Sequence, residues 1–154
     1  LDPAHQDMSS DCELLLMFAA RAEHLRAKIE PALKAGQWVL CDRFTDATRA
    51  YQGGGRGLPS ASIETLAELV QQGTEPDLTL LFDLPVEVGL ARAGARSAPD
   101  RIEQEKAEFF ERVRQRYLEL AEAWPQRIRQ LDASQPPEQV AAQVRALLQG
   151  LLPV

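Results

Sequence analysis

Asp42 and Arg43 directly follow residues 37–41, a run that is nearly all apolar and too short for a helix. Such a run suits a strand buried on both faces. In open parallel sheets, ligands bind where the carboxyl ends of strands meet loops and helix N-termini. An arginine there offers a planar fork matched to phosphate or carboxylate oxygens, and the adjacent Asp42 can hold a cation or orient that fork. The same pair also suits a strand-end salt bridge.

Phe18 and Arg21 are three apart and so share a helical face, which could stack a ring on a base and aim a guanidinium at the base edge. A phenylalanine on an apolar stripe equally suits the core. The run Gly53, Gly54, Gly55, Arg56, Gly57 lets backbone approach a ligand closely and reach positive φ, but it lacks the Lys and Ser or Thr of a phosphate-cradling loop. Arg92, Arg96 and Arg101, interrupted by Gly94, Ser97 and Pro99, read as a mobile cationic stretch able to close over transferring phosphates. Their alternative is a solvated patch paired with Glu103 and Glu105. His5 and His24 have no zinc-like partners, no nucleophile elbow occurs, and both histidines read as surface residues.

The elements that must position these groups are legible in part. Ser10 with Glu13 forms a capping-box pattern, and Leu14, Phe18, Leu25 and Ile29 recur at helical spacing, predicting a helix over 11–35 kinked or divided by Pro31. A glycine-rich loop over 53–57 leads to Pro59 and a helix ending at Gly73. A second buried strand is predicted over 78–82, a helix from Pro85 toward Arg96, and a polar turn over 97–100. A long charged helix through Phe109, Val113, Tyr117 and Leu120 follows, read as exposed and amphipathic. A third strand over 128–131 and a helix after Pro136 and Pro137 complete the chain. Strands separated by helices argue for an α/β domain with a parallel sheet. Three strands against about five helices imply that at least one upstream β-α unit is missing, as does the absence of an initiator Met.

Composition narrows the classes. With 17 basic and 23 acidic residues the net charge of −6 excludes a polybasic nucleic-acid binder, and the single Gly-Arg run does not make an RNA segment. At 45% hydrophobic and 26% charged residues, the 154-residue chain reads as one ordinary globular domain, 1–154. The longest apolar run, from Leu14 to Ala20, is far short of the roughly 20 residues of a membrane span. Cys12 and Cys41 make no disulfide framework and point to a reducing compartment, and the first residues show no secretion signal.

Taken in order, Leu15-Leu16-Met17-Phe18-Ala19-Ala20-Arg21, Asp42-Arg43-Phe44, Ala50-Tyr51-Gln52-Gly53-Gly54-Gly55-Arg56-Gly57, Pro76-Asp77-Leu78-Thr79, Asp100-Arg101-Ile102-Glu103 and Leu131-Asp132-Ala133 resemble bacterial thymidylate kinases over essentially the whole chain. The resemblance implies a three-layer P-loop nucleoside monophosphate kinase fold, lacking here its N-terminal β-α-β portion with the P-loop. It implies transfer of the γ-phosphoryl group of ATP to dTMP, giving dTDP and ADP for dTTP biosynthesis, with Mg²⁺ as cofactor, in a cytoplasmic homodimer formed through the helices near Phe18 and Ile63. Nucleic-acid and membrane partners are not implied.

Residue by residue, the resemblance implies that Phe18 stacks on thymine, Arg21 bonds its carbonyl edge, and Arg43 with Asp42 grips the acceptor phosphate. Thr48 and Gln52 line the base and sugar, and Tyr51 crowds the sugar against a ribonucleotide. A lid over about 93–101 carries Arg96 as the foremost catalytic cation, with Arg92 at its approach. Asp100, Arg101 and Glu103 complete the closed site. Arg92, Asp132, Ala133 and Ser134 lie near the adenine of ATP. No metal ligand is assigned. Without a P-loop these residues alone are expected to bind nucleotide weakly and transfer no phosphoryl group. The alternatives are a non-catalytic nucleotide-binding remnant and a related deoxynucleoside or nucleoside monophosphate kinase; Arg49 and Ala47 carry no assignment.

Overall fold

The computed structural model describes residues 7–94, 101–102 and 104–151. Helix α1 (Ser10–His24) is capped by Ser9, whose hydroxyl accepts from the Cys12 amide at 3.2 Å. The capping box expected at Ser10 and Glu13 is therefore shifted by one residue, which frees Glu13 to turn inward. Pro31 does not break the helical path. A π-helical turn, Leu25–Ile29, precedes α2 (Glu30–Lys34), placing the proline in the first turn of a new segment, where its missing N–H costs little.

Residues 37–41 do not form the expected strand: they join no ladder, and Leu40 is 98% exposed. A strand requires a hydrogen-bonding neighbour, and β1 (Thr79–Asp83) and β2 (Ile128–Asp132) pair with each other, parallel, in register from Thr79 with Ile128 to Asp83 with Asp132. Among the described residues the sheet thus has two strands instead of three. β1 is only half-buried and Phe82 is exposed, because two strands cannot cover an apolar strand on both faces.

The glycine-rich stretch is helical, not a loop. Helix α3 (Thr45–Thr48) runs into a π-helical segment, Arg49–Gly55, which packs along α6 (Ala107–Ala123). A Cβ on Gly55 would sit 2.5 Å from Phe109 Cε2 and 2.9 Å from Val113 Cγ2, and one on Gly54 would sit 2.9 Å from the Arg112 carbonyl oxygen. Glycine here permits close packing of two helices; only Gly57 of the run has positive φ, at 75°. Helix α6 is correspondingly not a mere exposed helix. It buries Phe109, Val113 and Leu120, and Arg112 donates to the Gly55 carbonyl at 2.9 Å.

Helix α4 (Ser60–Gln71) buries Ile63 and Ala67 against Leu14 and Phe18 of α1. It ends at left-handed Gln72, one residue before Gly73. Helix α5 (Val86–Gly94) leaves β1, and α7 (Pro137–Gln149) follows β2. No helix is long and apolar enough to cross a membrane among the described residues.

A buried charge network ties α3 to the amino ends of both strands. Arg127 chelates Asp46 with contacts of 2.6 and 2.8 Å, and Thr79 donates to the same carboxylate at 3.0 Å. Arg49 pairs with Asp46 at 3.0 Å and grips Glu64 at 2.8 and 2.9 Å. Trp124 lies 5.1 Å from each of these guanidinium groups, within cation–π range. Burial alone would push the Asp46 carboxyl up, but the Arg127, Thr79 and Arg49 contacts outweigh it and hold it below the usual carboxylate range.

Candidate functional site

Arg21, in the last turn of α1, reaches across to both ends of the short α3. Its Nη2 donates to Thr48 Oγ1 at 2.9 Å and to the Phe44 carbonyl at 3.2 Å. Its guanidinium carbon lies 4.8 Å from the Phe18 ring centroid and 5.3 Å from that of Phe44. Nη1 is buried with no hydrogen-bond partner, the one such side-chain nitrogen or oxygen among the described residues. Burial lowers the Arg21 pKa to about 10, so the group stays charged near neutrality while holding an unspent donor. Phe18 itself is 2% exposed, packed with Leu14, Ile63 and Ala67. In this structure its ring meets a guanidinium rather than open space.

Arg43 has φ of 64°, a left-handed conformation that a non-glycine residue adopts only at a cost. That kink leaves Asp42 and Arg43 exposed and carries the Arg43 guanidinium to 5.2 Å from the Tyr51 ring. Phe18, Arg21, Arg43, Thr48 and Tyr51, drawn from three segments, are thus brought together. Gln52 is buried but turned elsewhere: its Nε2 donates to Glu13 Oε1 at 2.8 Å.

Glu13 is a hub that sequence reasoning missed. Its carboxylate also accepts from Arg56 at 3.4 Å and from Arg101, while Arg56 pairs with Glu105 and lies 4.9 Å from the Phe109 ring. Burial would raise the Glu13 pKa, but the Gln52, Arg101 and Arg56 hydrogen bonds hold it below the ordinary range. Arg101 is therefore buried and committed instead of belonging to a mobile cationic stretch, and Glu105 pairs with Arg56. Arg96, Asp100 and Glu103 lie outside the described residues.

At the carboxyl end of β2, Arg92 Nη1 donates to the Ala133 carbonyl at 2.8 Å. Asp132 accepts from the Ser134 hydroxyl at 2.5 Å, from Gln135 Nε2 at 2.7 Å and from the Ser134 amide at 2.9 Å, contacts that lower its pKa and close a tight turn. Arg92 and Ala133 line a cleft of about 570 Å³ with Phe82, Val140 and Arg145. Asp83, at the end of β1, is chelated by Arg114 at 2.7 and 3.0 Å, which fixes the root of α5. Arg92, Asp132, Ala133 and Ser134 are thus brought together. The described residues contain no group of three or more His, Cys, Asp or Glu that could hold a metal ion.

The family model described as thymidylate kinase matches residues 1–144. The chain belongs to the thymidylate kinase family. Among relatives, it is 59% identical over 151 residues to the thymidylate kinase of Alcanivorax borkumensis, covering 98% of this chain and 73% of that one. It is 60% identical over 152 residues to the thymidylate kinase of Pseudomonas putida, covering 99% and 72%. A crystal structure of thymidylate kinase from Ehrlichia chaffeensis superposes with a TM-score of 0.73 at 29% identity, covering 92% of this chain and 67% of that one. The α/β fold with its parallel sheet is that of the P-loop nucleoside monophosphate kinases, and the chain is of that transferase class.

Proposed function

We propose that this thymidylate kinase chain carries the acceptor-nucleotide side of ATP-dependent phosphoryl transfer to dTMP, giving dTDP and ADP. The observation that carries the reading is the unspent, buried Nη1 of Arg21 beside Phe18 and Thr48. Thymine presents carbonyl acceptors on the edge where cytosine presents an amino donor. A guanidinium donor accepts the first and rejects the second, because either way a buried polar group must find or lack its partner. Phe18, whose ring Arg21 covers in this structure, offers that ring to the base only once the guanidinium moves to the thymine edge. Thr48 lines the base and Tyr51 crowds the sugar, whereas Gln52 is taken up by the Glu13 carboxylate.

Arg43 is the group for the acceptor phosphate, exposed and held in a strained backbone beside Asp42. Arg92 with Asp132, Ala133 and Ser134 forms the adenine side of the ATP site. Arg96, in a lid with Asp100 and Glu103, supplies charge toward the transferred group, while Arg101 is held by Glu13 at the lid's end. Phosphoryl transfer needs alignment and charge neutralisation more than covalent chemistry, which suits a site built of arginines. Mg²⁺ belongs to such chemistry, yet the described residues offer no acidic cluster for it, and no step here is routed through a protein-held ion.

Leu15 and Leu16 of α1 and Leu69 of α4 are exposed apolar side chains on packed helices, and a second copy of the chain is their proposed partner. Two free thiols fit a reducing cytoplasm. The deciding experiment is calorimetric titration of the chain with dTMP and with dCMP. Preferential binding of dTMP that Arg21→Ala abolishes supports the reading; equal binding of both by the unaltered protein refutes it.

A further inference from the structure

Tyr51 is held on three sides. Its ring lies 6.2 Å from Phe109, tilted by 59°, and 6.3 Å from Tyr117, edge-on at 83°, while Arg43 caps it at 5.2 Å. Phe109 and Tyr117 are eight residues apart on α6 and so project from one face of that helix. Phe109 is sealed in the core with Ala50, Ile102 and Val113, whereas Tyr117 packs at the margin of that cluster. Burial raises the Tyr117 pKa, Tyr51 raises it further, and the Arg43 charge opposes both. Tyr117 thus stands at the edge of the core cluster with its ring against Tyr51, whose own ring carries Arg43.

We infer that Tyr117 is a positioning residue for nucleotide selection: its ring edge fixes the tilt of Tyr51, and through Tyr51 the seat of Arg43, so that the sugar side of the site stays closed to a ribose hydroxyl. The inference rests on the proposed role of Tyr51 at the sugar. An edge-to-face pair is directional, so a flexible thioether fills most of the space but loses the orientation. Tyr51, freed to tilt, then admits the extra hydroxyl that it excludes when held.

The test compares calorimetric binding of dTMP and of its ribonucleotide, 5-methyluridine 5′-monophosphate, by the unaltered chain, Tyr117→Phe and Tyr117→Met. Tyr117→Phe retains the preference for dTMP; Tyr117→Met lowers it by about fivefold, the order of one aromatic pair. A packing role alone would lower the melting temperature of Tyr117→Met and leave the preference intact, which would overturn the inference while sparing the reading of Tyr51. Equal binding of both nucleotides by the unaltered chain overturns that reading and the inference with it.

A second measurement needs no change of side-chain volume. The chain contains two tyrosines, so fluorotyrosine labelling gives two ¹⁹F signals, assigned with Tyr117→Phe. Addition of dTMP should shift both; a shift of Tyr51 with Tyr117 unmoved overturns the coupling.

Discussion

Glu13 and Arg101, separated by 88 positions in the chain, form a buried ion pair that joins the first helix to the approach of the sixth. Gln52 and Arg56 complete the same carboxylate, so one acidic side chain ties together three segments of the chain. Removing one member of such a group leaves the others buried without compensation.

Glu13→Ala should therefore destabilise the chain by about 3 kcal/mol, as for other broken buried pairs. Urea denaturation followed by circular dichroism measures it. The double variant with Gln52→Ala should lose less than the sum of the single losses, because both act on one network.

Two glycines should respond with opposite signs. Gly55→Ala places a methyl against Phe109 and Val113, neither of which can swing away, and should cost about 1–3 kcal/mol. Gly89→Ala, on the open side of α5, should stabilise by about 0.5–1 kcal/mol by removing helix-interior glycine. Melting temperatures of the two variants decide it.

Acid should unravel the Asp46 network. The folded-state pKa of Asp46 lies below its unfolded value, so its contribution is complete above about pH 4 and is lost as pH falls through the folded pKa. Asp46→Asn should lower stability at pH 7 and flatten its further decline below pH 4. An acid limb as steep in the variant as in the parent would assign that decline to other carboxylates.

A coupled ADP-release assay with ATP, Mg²⁺ and dTMP addresses the phosphate-binding requirement. The 154 residues contain no GxxxxGK[ST] sequence, so they alone should release no ADP above background. The same residues joined to an upstream segment bearing that sequence should be active. Turnover by the shorter chain would show that its arginines suffice.

Helices α1, α4, α6 and α7 were legible because their apolar residues recur at helical spacing, and β1 and β2 because short β-rich runs stand between turn signals. The strand expected over 37–41 failed because local composition cannot supply a ladder partner. Phe18, Arg21, Arg43, Thr48 and Tyr51 were legible through ordered motifs, and the structure gathers them. Glu13 was hidden because an acid three residues after a serine reads as a cap, while its real partners lie 39 to 88 positions away. Arg49 carried no signal for the same reason: Asp46 lies nearby, but Glu64 and Trp124 meet it only after folding.

The two guanidinium groups against Trp124 give the network an optical signature. The other tryptophan, Trp38, is 65% exposed against 40% for Trp124, and it lies outside any such contact among the described residues. Both indoles meet water, but only that of Trp124 also emits from beside two fixed cations. As acid protonates Asp46 and lets Arg127 go, the emission of Trp124 alone should drift, making the chain its own spectroscopic gauge of whether α3 is still fastened to the sheet.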